Sequence, residues 1–234
     1  MTTITIPSRF NGPRDSGHGG YSSGVVAGLL ATSARVELRS PPPLDTPLQV
    51  SETDDGVEAA DGDTLVARAR PSDPPELTSP ATVDVAAARA AVDRFAGFVS
   101  HSFPTCFGCG PERAPGDGLR LFPGRVEGVA AEVVATPWTP DAALAGDDGA
   151  LAPEFVWAAL DCPSGYAVFD GRTGVLASFQ VRQDAAVPVG EELVVLGWPR
   201  GEDDRKLFSA SAVQDARGRV LAVAEALWIE LVAQ

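Results

Sequence analysis

The sequence has almost no lysine and no long apolar run. Lys206 is the only lysine among 234 residues, and the formal net charge is −14. Nucleic acids and anionic lipids are recognised by basic patches, so we expect no nucleic-acid partner. A membrane-spanning helix needs about 18 consecutive apolar residues, and no such run exists, so we expect no membrane partner either.

Cysteine is also scarce, and the N-terminus shows no export signal. The chain has three cysteines, and its first residues, MTTITIPSRFNG, lack the basic-then-apolar order of a signal peptide. We therefore expect a cytoplasmic protein without disulfides. The apolar fraction of 44% and the charged fraction of 21% are typical of a globular protein, which could form one large domain or two small ones.

Residues 149–169, GALAPEFVWAALDCPSGYAVF, predict an enclosed helix. Pro153 suits a first helical turn, because its missing N–H would be unpaired there in any residue. Residues 155–160 are all apolar, whereas a surface helix would carry a polar face. Pro163 disfavours helical geometry at Cys162, so we expect the helix to break or kink there.

Asp161 interrupts this apolar run. A carboxylate near a helix C-terminus faces the negative end of the helix dipole, and burial also disfavours its charged form. Folding stability alone gives no reason for an aspartate at this position. Two interpretations stay open: a helix-end residue that turns to solvent or caps the next segment, or a catalytic acid or base.

The N-terminal part combines turn residues with a glycine pair before a predicted helix at residues 20–31. Asn11-Gly12-Pro13 is typical of a turn, and Ser16 or Ser22 could cap the helix. His18-Gly19-Gly20 lies at or just before the helix N-terminus, where a backbone N–H can approach a negatively charged ligand. Alternatively, the glycines serve only the loop and His18 is an ordinary surface side chain.

Apolar alternation and turn residues predict strands in two successive parts of the chain. The predicted strands are 2–6, 34–40, 46–52, 56–60, 64–71, 118–124, 129–138, 173–183, 191–199, 205–215 and 218–232. A proline-rich linker at 71–80 and a helix at 83–99 separate the parts, and residues 215–218 predict a hairpin turn. Each part has a short strand, a helix and then several strands, which indicates an internal repeat. We expect an N-terminal domain at 1–80, a linker helix at 81–100 and a C-terminal domain at 101–234.

Residues 106–109 form a C-x-x-C sequence. Zinc needs about four ligands, and only His101, Cys162 and His18 could complete the set. A redox C-x-x-C normally precedes a helix, but here Pro111 and a Gly-Asp-Gly turn follow. We therefore expect a tight glycine turn with small buried thiols, and no metal.

A helix wrapped by an antiparallel sheet, occurring twice in one chain, resembles the hotdog fold in a fused, double form. The implied fold class is α+β, a double hotdog. The motifs look like those of acyl-CoA thioesterases of the PaaI and 4-hydroxybenzoyl-CoA type. In that family a loop Asn and an H-G-G lead into the central helix, and an acidic residue follows along it. The H-G-G comes from one hotdog and the carboxylate from the other.

The two halves match this pattern in complementary ways. The first half has the loop amide at Asn11 and the H-G-G at His18-Gly19-Gly20, but small or apolar residues such as Val26 where the acid belongs. The second half has Ala152-Pro153-Glu154 in place of H-G-G, and Asp161 at the acid position. The run CFGCGPERAPGDGLRLF also resembles the lead-in to the first strand in many such proteins. The resemblance therefore implies one composite site.

In such a site the thioester carbonyl would point at the backbone N–H of Gly19 or Gly20, which would stabilise the oxyanion. Asp161 would activate water as a general base or attack directly as a nucleophile. Asn11 would hold the water or the carboxylate, and His18 would orient the loop. The implied catalytic residues are thus Asp161, Gly19, Asn11 and His18.

The resemblance also implies a substrate and its contacts. The expected activity is hydrolysis of a small or aromatic acyl-CoA thioester, without a cofactor. Expected substrate-binding residues are Gly20, Ser178 and Trp157. Candidates for the CoA phosphates are Arg120, Arg182, Arg205 and Lys206. Two alternatives stay open, a non-catalytic acyl-CoA or fatty-acyl binding module and a hotdog dehydratase with His18 as base. The double hotdog could also form a homo-oligomer.

Overall fold

The computed structural model describes residues 2–232, which form three α-helices and one eleven-stranded sheet. The helices are α1 (Gly19–Ala27), α2 (Val85–Ala91) and α3 (Pro153–Phe169). The strands are β1 (Thr2–Thr5), β2 (Ala34–Leu38), β3 (Pro47–Thr53), β4 (Gly56–Asp61), β5 (Thr64–Pro71), β6 (Gly124–Arg125), β7 (Val134–Trp138), β8 (Gly174–Gln183), β9 (Leu193–Asp203), β10 (Lys206–Gln214) and β11 (Val220–Glu230). Within residues 2–232 no helix is long and apolar enough to cross a membrane.

All strand pairs of the sheet are antiparallel, in the order β1-β3-β4-β5-β2-β8-β11-β10-β9-β7-β6. The strands of the two halves meet where β2 pairs with β8, with Val36 opposite Phe179. Each half contributes short strands, a helix and a further run of strands, so the predicted repeat and the α+β class are confirmed. The predicted domain limits at residues 80 and 101 stay a prediction.

Helices α1 and α3 lie side by side, as expected, and two glycines allow the close approach. A Cβ atom at Gly20 would lie 2.6 Å from Cβ of Asp161, and one at Gly24 would lie 2.7 Å from Cα of Glu154. Any larger residue at these positions would separate the helices. Helix α1 ends at Ala27 rather than at residue 31.

Helix α3 continues through Pro163, so the predicted break there is wrong, whereas the alternative of a kink stays a prediction. Two hydroxyl groups bond carbonyls in the turn that the proline disturbs: Ser211 Oγ donates to the Leu160 carbonyl at 2.6 Å, and Ser164 Oγ donates to the Asp161 carbonyl at 2.7 Å. Since α3 is enclosed on most sides, packing also holds the helix together. Asp161 therefore lies in the middle of a helix rather than near its end.

The predicted strand at 118–124 is instead a buried loop with only its last residue in β6. The N–H groups of Leu119 and Leu121 donate to the carbonyls of Phe107 and Gly108, at 2.8 and 2.9 Å. Carbonyl groups of the C-x-x-C loop thus accept the hydrogen bonds that the carbonyls of a neighbouring strand would have accepted.

The linker lies against the sheet and is held by side chains of the C-terminal strands. Arg182 donates to the carbonyls of Pro75 and Leu77 at 2.5 and 3.2 Å, and Gln214 donates to that of Ala81 at 2.8 Å. The predicted helix at 83–99 is shorter, because α2 ends at residue 91 and two 3-10 turns follow at 92–94 and 96–98.

The first part of strand β9, residues 193–198, is buried on both faces. Leu193 and Val195 belong to the core that contains α1 and α3, whereas Val194 and Leu196 pack with Ala88 of α2. Because alternate residues of a strand point to opposite faces, the sheet lies between α3 and α2.

Gly197 of β9 allows the sheet to contact α3 directly, since a Cβ atom there would overlap the Pro163 carbonyl. We expect Gly197→Ala to lower the free energy of unfolding by about 1–3 kcal/mol, the usual cost of overpacking a core. Gly146→Ala is the matched control, because a Cβ atom there has no neighbour closer than 3.6 Å. Urea denaturation measures both, and equal stability of the two variants would contradict this contact.

Candidate active site

His18 caps helix α1. Its Nδ1 atom accepts a hydrogen bond from the Tyr21 N–H at 3.2 Å, so the predicted caps Ser16 and Ser22 are wrong. A side-chain acceptor at this position satisfies one of the free N–H groups of the first helical turn. His18 is buried, which rules out the alternative that it is a surface side chain.

Asp161 reaches from α3 to the same helix terminus. Its Oδ2 atom accepts a hydrogen bond from the Gly20 N–H at 2.6 Å and lies 3.2 Å from His18 Nδ1. The carboxylate therefore faces the positive end of α1, not the negative end of α3 as the sequence predicted. The interpretation that it turns to solvent is excluded, because Asp161 is only 3% exposed.

The other carboxylate oxygen of Asp161 is unpaired. Oδ1 is buried and has no hydrogen-bond partner within residues 2–232. Burying an unpaired acceptor is unfavourable, and such an atom in a native protein calls for an explanation, for example a bound water or ligand. Oδ1 is thus the oxygen of Asp161 whose capacity to accept a hydrogen bond is unused.

Burial raises the pKa of Asp161 to about 6, while His18 and the Gly20 N–H oppose that rise. Burial lowers the pKa of His18, but the carboxylate of Asp161 and the thiol of Cys106 outweigh burial and raise that pKa above its ordinary value. A carboxyl group that titrates near neutral pH is suited to take up and release a proton.

Asn11 is buried in the loop before α1, and its side chain is used to hold that loop. Its amide donates to the carbonyls of Gly12 and Pro13 at 3.1 and 3.3 Å and to Thr105 Oγ1 at 3.4 Å. Its side-chain oxygen accepts from Arg113. Asn11 therefore joins the H-G-G loop to the C-x-x-C loop, and none of these contacts is with Asp161.

Arg113 is a positioning residue that sequence reasoning missed. Its guanidinium also donates to the carbonyls of Arg9 and Thr105, both at 2.8 Å, and pairs with Asp117 at 3.0 Å. Its side chain is only 9% exposed. No local pattern could identify it, because Arg9 and Asn11 lie in the other half of the chain.

The three cysteines are free and buried, as expected. Cys162 of α3 is at the centre, with His18 Nε2 at 3.4 Å and Cys106 Sγ at 3.9 Å from its sulfur. His101 instead bonds backbone, with Nε2 at 3.2 Å from the Cys109 carbonyl. The thiols therefore lie directly behind the imidazole that caps α1.

A cavity of about 1420 Å³ lies against this cluster and has lining residues from both halves. Of the predicted site residues, His18, Gly19 and Asp161 line it, whereas Gly20, Asn11, Ser178 and Trp157 do not. Trp157 packs against Phe179 in the core, with ring centroids 5.6 Å apart. Ser178 Oγ is buried without a hydrogen-bond partner within residues 2–232. The structure thus brings together the H-G-G and Asp161, but leaves Ser178 and Trp157 away from the cavity.

The basic residues on the cavity wall differ from those expected. Arg120, Arg182, Arg205 and Lys206 do not line it. The arginines that do are Arg14, Arg39, Arg94, Arg125 and Arg172. Arg14 and Arg39 line the same cavity as His18 and Gly19. Within residues 2–232 Arg14 has no ion-pair partner, whereas Arg39 lies 3.9 Å from Glu37.

We expect Arg113→Lys to lower the free energy of unfolding by about 1.5–3 kcal/mol, because lysine cannot reproduce the fork of charge-assisted hydrogen bonds. Hydrogen exchange should also accelerate at the Phe107 amide, which donates to the Asn11 carbonyl at 2.7 Å. The matched control is Arg89→Lys at a side chain that is 65% exposed, with a change within about 0.5 kcal/mol. Unchanged exchange at Phe107 would remove Arg113 from the support of this loop.

Comparison with known proteins identifies the fold of the chain. No protein-family model and no curated protein matches the sequence. Among solved structures, the TesB protein of Mycobacterium avium subspecies paratuberculosis is 13% identical, with a TM-score of 0.60 over 94% of this chain and 89% of that one. A thioesterase superfamily protein is 20% identical over 67% of this chain and 70% of its own, with a TM-score of 0.49. A Streptococcus mutans protein bound to acetyl-CoA is 12% identical over 44% of this chain and 83% of its own, with a TM-score of 0.41.

The similarity to the TesB protein extends over nearly the whole of both chains, and at this identity it is a similarity of fold. It agrees with the two side-by-side helices and the continuous antiparallel sheet. The chain has the hotdog fold in its double form, the fold that it shares with the TesB protein.

Proposed function

We propose that this protein hydrolyses an acyl-CoA thioester at one composite site between its two halves. The observation that carries the proposal is that Asp161, whose Oδ1 atom is buried and unpaired, lines a large cavity beside the N-terminus of α1. A general base in this position lies next to a helix N-terminus, which would stabilise the negative charge that develops on the thioester oxygen.

The two glycines would have different roles. The Gly20 N–H is already bonded to Asp161 Oδ2, so it orients the base. The Gly19 N–H is a free donor of the first helical turn and has no acceptor within residues 2–232. It is the group that would donate to the thioester oxygen as charge develops on it.

In the proposed reaction, Asp161 Oδ1 takes a proton from water, and the water oxygen attacks the thioester carbonyl carbon. The tetrahedral intermediate then collapses with cleavage of the C–S bond. The proton passes from Asp161 to the leaving thiolate, which gives a carboxylic acid and CoA. The pKa of about 6 supports this role, because the same carboxyl group must accept and return a proton near neutral pH.

A single site per chain is supported by the start of α3. Gly19 is the first residue of α1, but the first residue of α3 is Pro153, which has no N–H to donate. The corresponding stretch of α1 carries the buried, apolar Val26 rather than an acid. The second pair of elements therefore lacks both the donor and the base.

The substrate class follows from the cavity. Its volume exceeds the roughly 300–1000 Å³ of common ligand pockets, so an acyl group with part of the CoA arm fits. Leu176 packs against Gly19, and Phe103 and Phe169 also line the wall, which suits a small or aromatic acyl group. Arg14 and Arg39 would meet the phosphates. A homo-oligomer and a cytoplasmic location stay predictions.

We expect Asp161→Asn to reduce thioester hydrolysis by about 10²–10⁴-fold, the usual contribution of a general base. A thiol-release assay across short, medium, long and aromatic acyl-CoAs measures it. The matched control is Asp141→Asn, which keeps the side-chain oxygen that accepts from the Ala143 N–H away from the cavity. Equal rates in the wild type and Asp161→Asn would exclude Asp161 as the base.

A non-catalytic acyl-CoA binding module is the second candidate, and one observation favours it. The Gly20 N–H donates to Asp161 Oδ2 at 2.6 Å. This hydrogen bond links α1 to α3 whether or not a substrate is bound, so Asp161 could have a purely structural role. Calorimetric binding of acyl-CoA with no thiol release from any substrate would support this alternative. A dehydratase with His18 as base has less support, because Nδ1 accepts from Tyr21 and Nε2 faces Cys162.

We expect Arg14→Ala and Arg39→Ala each to raise KM for acyl-CoA about two- to fivefold, with kcat unchanged, because an exposed ion pair contributes about 0.5–1 kcal/mol. The corresponding acyl-N-acetylcysteamine, which lacks the nucleotide, should show no change in KM. Arg217→Ala in the β10–β11 turn is the control for loss of positive charge. Equal effects on both substrates would place the CoA phosphates elsewhere.

A further inference from the structure

We propose that His18, Cys106, Cys109 and Cys162 bind a zinc ion. The reaction above uses none of the thiols, yet all three cysteines of the chain are buried at one place. They come from two segments, the C-x-x-C loop and α3, and the imidazole comes from a third. The sequence alone predicted no metal, because nothing in it showed that His18 and Cys162 lie beside the C-x-x-C loop.

Two distances within the cluster match the edges of a tetrahedral zinc site. The ligand atoms of His18, Cys106 and Cys162 all lie within 4.8 Å of one another. Zinc binds sulfur at about 2.3 Å and imidazole nitrogen at about 2.0–2.1 Å, so tetrahedral edges are about 3.8 Å between sulfurs and about 3.5 Å from nitrogen to sulfur. The observed values are 3.9 Å for Cys106 to Cys162 and 3.4 Å for His18 to Cys162.

Cys109 is the candidate for the fourth ligand. It packs in the same buried cluster as Cys106 and Cys162, but its sulfur is not among the three ligand atoms that lie within 4.8 Å of one another, so zinc binding requires its side chain to turn inward. The C-x-x-C spacing is typical of zinc sites, and the Gly110 N–H closes the turn on the Cys106 carbonyl at 2.8 Å. A Cβ atom at Gly108 would lie 2.5 Å from Cys162 Sγ and 2.6 Å from His18 Nε2. Glycine at this position therefore keeps the centre of the cluster open.

The contact of His18 with Asp161 would suit a metal-bound imidazole. His18 Nδ1 lies 3.2 Å from both the Tyr21 N–H nitrogen and Asp161 Oδ2. Zinc at Nε2 would place the imidazole proton on Nδ1, which would then donate to Asp161 Oδ2 in the carboxylate–histidine arrangement that orients histidine ligands, in place of accepting from Tyr21. All four side chains line the cavity, so an ion can enter from solvent. With Cys109 as the fourth ligand the site would be closed and structural. The ion would join the N-terminus of α1, the C-x-x-C loop and α3 across both halves.

Zinc content of the full chain, purified under reducing conditions without chelator, tests the proposal directly. We expect one tightly held zinc ion per chain, and its removal by a strong chelator should lower the Tm. Replacement by Co²⁺ should give thiolate-to-cobalt charge-transfer bands and the intense visible bands of tetrahedral cobalt. Wild-type protein that binds neither ion would overturn the proposal. So would metal-free protein with a mass two hydrogens lower, which would assign a disulfide.

The two histidines of the chain provide a matched pair. His18→Gln should lose the cobalt spectrum, whereas His101→Gln should keep it, since His101 contacts the cluster only through the Cys109 carbonyl. Cys106→Ser and Cys162→Ser should bind zinc at least tenfold more weakly than the wild type. Equal metal affinity in His18→Gln and the wild type would contradict the site. None of these readouts needs substrate, so an inactive protein that still binds one zinc would contradict only the proposed function.

Discussion

The contact between Asp161 and the first turn of α1 is the interaction on which the site depends. A carboxylate in the middle of an apolar helix would be costly unless another group stabilised it. The Gly20 N–H and the positive end of α1 do so, and they come from the other half of the chain. Because the contact needs the helices to lie against each other, Gly20 and Gly24 can carry no side chain there. The close packing of the two helices is thus also what brings the Gly20 N–H to Asp161.

The loops around this contact are held by buried polar groups rather than by strands. Arg113 binds the Asn11 loop to the C-x-x-C loop, and the segment before β6 gives its N–H groups to the latter. The thiols and His18 fill the space behind the helix terminus. Several backbone N–H groups of these irregular segments are hydrogen-bonded between the loops, so the segments form a defined wall of the cavity.

Joining two hotdogs in one chain allows the halves to differ. In a symmetric dimer every helix must both offer N–H groups at its start and carry an acid along its length. Here α1 keeps the glycines, and α3 keeps Asp161 and begins with Pro153. Proline stabilises a first helical turn but has no N–H to donate to a ligand. The start of α3 therefore serves the stability of the helix, whereas the start of α1 keeps N–H groups that could bind a substrate. The outer face of the second half is covered by α2, which the linker holds against β9.

Local patterns in the sequence determined most strands of the sheet, the start of α3 at Pro153, the turn between β10 and β11, and the presence of an H-G-G and of an acid within an apolar helix. These features depend on side-chain periodicity and on backbone preferences of single residues, which neighbours in the chain reveal. Only the tertiary structure decided that α3 continues past Pro163, that Asp161 faces the positive end of α1, and that Arg113 supports Asn11. It also decided that His18 meets the cysteines and that Ser178 and Trp157 lie away from the cavity. Each of these depends on groups from distant parts of the chain, whose approach is set by packing and leaves no local pattern in the sequence.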